Sequence, residues 1–149
     1  MKIVIASDHA GFPLKKSITE FLSKEKIKVE DLGIDHPESV DYPDYAAKVA
    51  QAVSQKKADA GILICGTGLG MSISANKFKG VRAVAVSDLY SARMAKEHND
   101  ANVLALGGRV LDSHKALRLV KVWLNSKFKG NRHQQRLDKI SDLENKNLK

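Results

Sequence analysis

Ala60 to Cys65 is an unbroken apolar run that leads straight into glycines at alternate positions, Gly66, Gly68 and Gly70. A run that short, without polar alternation, predicts a strand buried on both faces of a parallel sheet. Such a strand constrains the fold more than any other stretch, because helices have to cover both of its faces. Met71 to Phe78 follows with a pattern that predicts a helix. The only cysteine of the chain therefore stands where a buried strand meets a glycine turn and a helix N-terminus. N–H groups there lack partners, and the helix dipole favours negative charge. The turn can hold an oxyanion or a phosphate, and the same field favours a thiolate able to act as nucleophile or base. A buried thiol beside a tight turn would match a bare Gly-x-Gly-x-Gly equally well, so the rest of the chain decides.

Lys2 to Ser7 reads as a first strand, doubly buried through Ile3, Val4, Ile5 and Ala6. It ends at Ser7-Asp8-His9-Ala10-Gly11, and open α/β sheets place ligands beyond the carboxyl ends of their strands. Asp8 serves equally well as a cap for the next helix, whose first turn takes Pro13 and whose buried face is Leu14, Ile18, Phe21 and Leu22. Ile27 to Leu32 is more alternating, with Lys28 and Glu30, and predicts an edge strand. A polar loop, Gly33 to Pro43, precedes a second helix over about Asp44 to Gln55, with Tyr45, Val49, Ala52 and Val53 inward. Gly80 is placed as the C-terminal cap of the helix that follows the glycine turn. Val81 to Val86 is a fourth strand, and Ser87-Asp88 caps a helix running to about His98. Asn102 to Leu106 is the fifth strand, followed by Gly107-Gly108-Arg109; Asp112-Ser113 caps a helix carrying Leu117, Val120, Trp123 and Leu124. A basic helix over about 131–146 has no strand to serve and is expected to pack on a partner subunit.

Strands alternating with helices predict one Rossmann-like, three-layer α/β domain over residues 1–149, built on a five-stranded parallel sheet with an extra C-terminal helix. The first apolar segment is too short for a signal peptide or a membrane span. A single cysteine excludes an internal disulfide framework and points to a reducing cytosol, hence a cytoplasmic protein. The net charge of +8 calls for an anionic partner. The lysines are scattered and aromatic residues sparse, which argues against nucleic acid; a phosphorylated small molecule needs only a few of these cations. No Lys-Ser/Thr closes the glycine run as a P-loop requires, and the spacing is not that of a dinucleotide fingerprint. The five histidines lack metal-ligand spacing, so neither a metal nor an organic cofactor is expected.

Asp8-His9-Ala10-Gly11, Asp41-Tyr42-Pro43, Cys65-Gly66-Thr67-Gly68-Leu69-Gly70, Asn76-Lys77, Arg82-Ala83, His98-Asn99-Asp100-Ala101-Asn102, Gly107-Gly108-Arg109 and Arg132-His133-Gln134-Gln135-Arg136 together resemble the type B ribose-5-phosphate isomerase family. The resemblance spans essentially the whole chain. It implies a metal-free, homodimeric aldose–ketose isomerase acting on a sugar phosphate, with each site shared between subunits and dimers able to pair into tetramers. It implies Cys65 as the catalytic base; some members use a glutamate at the position of Met71, and this chain matches the cysteine-using branch. It implies His98 in ring opening and Asp8 beside it. Backbone groups of Gly66, Thr67, Gly68, Leu69 and Gly70, with Thr67 and Asn99, would cradle the reacting oxygens. His9, Arg109, Arg132 and Arg136 would hold the phosphate, the last two crossing from the partner. Tyr42 is placed at the pocket wall, Lys77 and Arg82 in structural roles, and His36, His114 and His133 on loops or surface. Allose 6-phosphate or galactose 6-phosphate isomerisation, and phosphosugar binding without turnover, are the alternatives.

Overall fold

The computed structural model describes residues 1–148; Lys149, the last residue of the expected domain, lies outside them. The strands are β1 (Lys2–Ser7), β2 (Lys28–Asp31), β3 (Ala60–Cys65), β4 (Ala83–Ala85) and β5 (Val103–Gly107). The helices are α1 (Phe12–Lys24), α2 (Tyr42–Ser54), α3 (Leu69–Ala75), α4 (Leu89–Glu97), α5 (Ser113–Asn125) and α6 (Arg132–Asn147). The sheet is wholly parallel, in the order β2-β1-β3-β5-β4. Its central strands are the apolar runs, and β2 lies at an edge as its alternation predicts.

Alternation along each strand sorts the core into two layers. Ile3, Ile5, Ile62, Ile64, Leu104 and Leu106 face α1, α4 and α5, with Trp123 fully buried among them. Val4, Ala6, Leu63, Cys65, Val103 and Ala105 face α2 and α3. Gly61 lies on this second face because a side chain there would enter Val49, where its Cβ would come 2.4 Å from Cγ1.

Several boundaries differ from the pattern reading, most of all at α2, α3 and the fourth strand. α2 starts at Tyr42, since Pro43 fits its first turn, where no N–H is needed. α3 starts at Leu69 and stops at Ala75. Gly80 has a positive φ of 78° but lies beyond that end, in a turn, so it does not cap the helix. The fourth strand shrinks to Ala83–Ala85, and side chains take the N–H groups just before it and at its start. Asn102 Oδ1 accepts from the Arg82 N–H at 2.7 Å, and Asn76 Oδ1 accepts from the Ala83 N–H at 2.8 Å. α6 lies against the β4 end of its own sheet, with the Gly80 N–H donating to Glu144 Oε1 at 2.9 Å. Only His133 and Leu137 of α6 are buried, which leaves Ile140 and Leu143 exposed. Among the described residues no helix is long and apolar enough to cross a membrane.

Candidate active site

The strand order reverses between β1 and β3, and the crevice at such a switch point is where ligands of open α/β sheets bind. Three turns meet there, pressed together by glycines. A Cβ on Gly11 would lie 2.4 Å from Ile64 O, one on Gly108 2.7 Å from Ala10 O, and one on Gly107 2.9 Å from the Thr67 backbone. The Gly108 N–H donates to Cys65 O at 2.7 Å and the Arg109 N–H to Gly66 O at 3.0 Å. Asp8, Cys65 and Arg109 are thus carried on one block of mutually bonded backbone. Asp8 is buried and accepts from the Gly11 N–H at 3.1 Å, which closes the turn before α1; no side chain caps that helix, so the plainer role as a cap is not realised.

Gly68 is the residue before α3, and its φ of 83° is a left-handed conformation that suits glycine. Its N–H points at Cys65 Sγ, 3.1 Å away, so sulfur carrying negative charge has a fixed backbone donor. Cys65 is itself 5% exposed and faces α3. Thr67 is exposed; its Oγ1 accepts from the Leu69 N–H at 3.2 Å and keeps its own hydrogen free to donate. The N–H groups of Gly70 and Met71, in the first turn, have no acceptor within the helix. Arg109 folds across Gly66, whose missing Cβ would lie 3.6 Å from an Arg109 guanidinium nitrogen. The 33–43 loop closes another side. The Val40 N–H donates to His9 Nδ1 at 3.2 Å, and Tyr42 covers Gly70 so closely that a Cβ there would meet its ring at 2.4 Å.

His98, Asn99, Arg132 and Arg136 are not brought to this crevice by the same chain. His98 ends α4 and precedes β5, whose first residue, Val103, pairs with Gly61. Cys65 pairs with Gly107 at the other end of the same strands. At ~3.3 Å per residue the two clusters stand at least about 13 Å apart along the sheet. The second cluster is itself ordered. Arg82 Nε donates to Asn99 O at 3.0 Å, and Lys129 pairs with Glu97 at 3.1 Å, drawing the start of α6 under α4.

His133, assigned to loop or surface from the sequence, is instead 4% exposed, and its ring stacks on His98 at 4.0 Å between centroids and 16° between planes. Its place between Arg132 and Arg136, which the resemblance assigns to the phosphate, was the available signal, but nothing in that block states burial. Burial, then the neighbouring His98, Arg132, Arg136 and Lys129, lower its pKa from the ordinary histidine value. Below the unfolded pKa the unfolded chain binds the proton more readily, so this group favours folding fully above about pH 6.5 and progressively less as pH falls through the lowered native value. The melting temperature of the protein should drop between neutral pH and pH 5, and by less in a His133→Asn variant, as thermal unfolding followed by circular dichroism would read. Among the described residues no three His, Cys, Asp or Glu side chains are grouped to hold a metal ion.

The Ribose/Galactose Isomerase family profile matches residues 3–140. The ribose-5-phosphate isomerase B of Escherichia coli is 48% identical over 143 residues, covering 96% of each chain. The solved structure of the Clostridium thermocellum ribose-5-phosphate isomerase B superposes with a TM-score of 0.97 at 53% identity, covering 98% of this chain and 99% of that one. That of the Mycoplasma genitalium enzyme, solved with bound ribulose 5-phosphate, gives 0.94 at 44% identity, covering 97% and 96%.

Proposed function

The chain belongs to the ribose/galactose isomerase family, and on that premise we propose that it interconverts ribose 5-phosphate and ribulose 5-phosphate, an aldose–ketose isomerisation of the non-oxidative pentose phosphate pathway. The observation that carries the reading is Cys65 Sγ held by the Gly68 N–H at the switch-point crevice, on the strand next to Asp8 and one residue before Gly66, which Arg109 covers. Ribose 5-phosphate is mostly a closed furanose, so an acid–base group has to open it; His98 takes this role, with Asp8 contacting the sugar nearby. The Cys65 thiolate then removes the proton on carbon 2, giving a cis-enediolate. It returns that proton to carbon 1, while oxygen 2 loses and oxygen 1 gains a hydroxyl proton. Thr67, Asn99 and the backbone N–H groups of the Gly66–Gly70 turn hold the enediolate oxygens, each such donor contributing about 3–4 kcal/mol in comparable sites. His9, Arg109, Arg132 and Arg136 hold the phosphate, which does not react but positions the sugar.

This assignment needs two chains. One protomer carries the base at one end of its sheet and His98, Asn99, Arg132 and Arg136 at the other, so we read the protein as a homodimer in which each site combines the two ends of different subunits. The apolar side chains left exposed on α3 and α6, Leu69, Ile73, Ile140 and Leu143, give such a dimer material to bury. We place the enzyme in the cytoplasm, where its single thiol stays reduced.

The test is turnover of ribose 5-phosphate by the purified chain with EDTA present, with allose 6-phosphate and galactose 6-phosphate in parallel. The pentose is expected to react with the chelator present. Activity on a hexose phosphate alone would move the substrate, and binding without turnover of any of the three would replace the enzyme with a phosphosugar-binding protein.

A further inference from the structure

Lys15 is the one charged side chain of α1 that the fold buries, at 1% exposure, next to the apolar stripe of Leu14, Ile18 and Leu22. Packing alone would be met there by an apolar residue, and an ammonium is kept inside only where its donors are satisfied. Its Nζ donates to Asp31 Oδ1 at 2.7 Å and to Ile34 O, and lies 5.5 Å from the centre of the Phe12 ring. These acceptors are the root of the 33–43 loop. The same Asp31 oxygen accepts from the Gly33 N–H at 2.8 Å, and Gly33 O accepts from the Ser7 N–H at 2.8 Å. Beyond buried Ile34 the loop runs mostly exposed until Val40, whose N–H reaches His9 Nδ1.

That contact decides which nitrogen of His9 carries the proton. A ring nitrogen that accepts from an N–H is unprotonated, so neutral His9 keeps its proton on Nε2 and offers Nε2–H as a donor. A donor is what an anionic oxygen requires; the opposite tautomer would turn a lone pair towards it. We propose that Lys15 is a positioning residue for His9: by fastening the root of the 33–43 loop it sets Val40 against Nδ1 and holds His9 as the Nε2–H tautomer that a phosphate oxygen accepts from. The consequence for substrate rests on His9 as a phosphate contact, as proposed above, whereas the tautomer does not.

The experiment replaces Lys15 with methionine, which keeps the stem and removes the charge. Two quantities are read: the nitrogen-15 signals of the His9 imidazole in ligand-free protein, assigned against His9→Asn, and steady-state constants for ribose 5-phosphate. In wild type His9 should show the Nε2–H pattern. In Lys15→Met it should shift towards a mixture of tautomers, with KM raised about tenfold and kcat changed much less, the mark of lost ground-state binding. Asp31→Asn loosens the same clamp from the exposed edge strand and should move both readouts the same way by less. Should Lys15→Met fail to fold, Asp31→Asn decides alone. Folded variants whose His9 keeps the wild-type imidazole signals overturn the proposal. The imidazole readout uses no substrate, so it stands or falls separately from the isomerase assignment, which fails only if the wild type turns over no pentose phosphate.

Discussion

Alanine at position 65 is expected to lower kcat about 10²–10⁴-fold, the usual contribution of a positioned base, with sugar-phosphate affinity retained within a few-fold. The thiol is required only when the carbon 2 proton moves, whereas the phosphate contacts and the glycine turn act in the ground state as well. Alanine also strips the buried Gly68 N–H of its acceptor, which should destabilise the fold by about 1–3 kcal/mol. Serine separates the two effects. Its oxygen can still accept from Gly68, so stability should recover, but a hydroxyl is too weakly acidic to serve as the base and turnover should stay low. Calorimetric titration with ribose 5-phosphate and a coupled assay on both variants would read this. Normal isomerisation by Cys65→Ala would show that another group takes the proton.

The crevice half of the site was legible in the sequence for a topological reason. In a parallel sheet the carboxyl ends of neighbouring strands converge, so Asp8 after β1, Cys65 at the end of β3 and Arg109 after β5 meet wherever those strands lie side by side. Glycines at 11, 68, 107 and 108 then mark where backbones touch. The other half was not legible from spacing. His98 and α6 lie at the opposite end of the sheet, and only likeness to a family joined them to the crevice. Doubly buried strands were read well, because an apolar run of that length has few other fates. Their edges were not. Asn102 takes the N–H of Arg82 and Asn76 that of Ala83, and periodicity carries no sign of that competition. Lys15 shows the same limit: a lysine beside an apolar stripe reads as a surface charge, and its burial depends on Asp31 and Ile34, which belong to another element and its loop.

Mixing two inactive variants should restore activity if each site is built from both subunits. Cys65→Ala removes the base from the crevice, and His98→Asn removes the ring-opening group from the far cluster; each homodimer has two damaged sites. A mixed dimer concentrates both changes in one of its sites and leaves the other with an intact Cys65 from one chain and an intact His98 from its partner. With subunits exchanged at equal concentrations, half of the dimers are mixed and half of their sites are intact, so about one quarter of the wild-type rate should return in a two-fold dimer. The time course adds a second check, because recovery has to follow subunit exchange and is absent at the moment of mixing. If Cys65 and His98 of one chain acted together, every site would carry one of the two changes and the mixture would stay as inactive as its parts. The separation of at least about 13 Å along one sheet makes the first outcome the expected one.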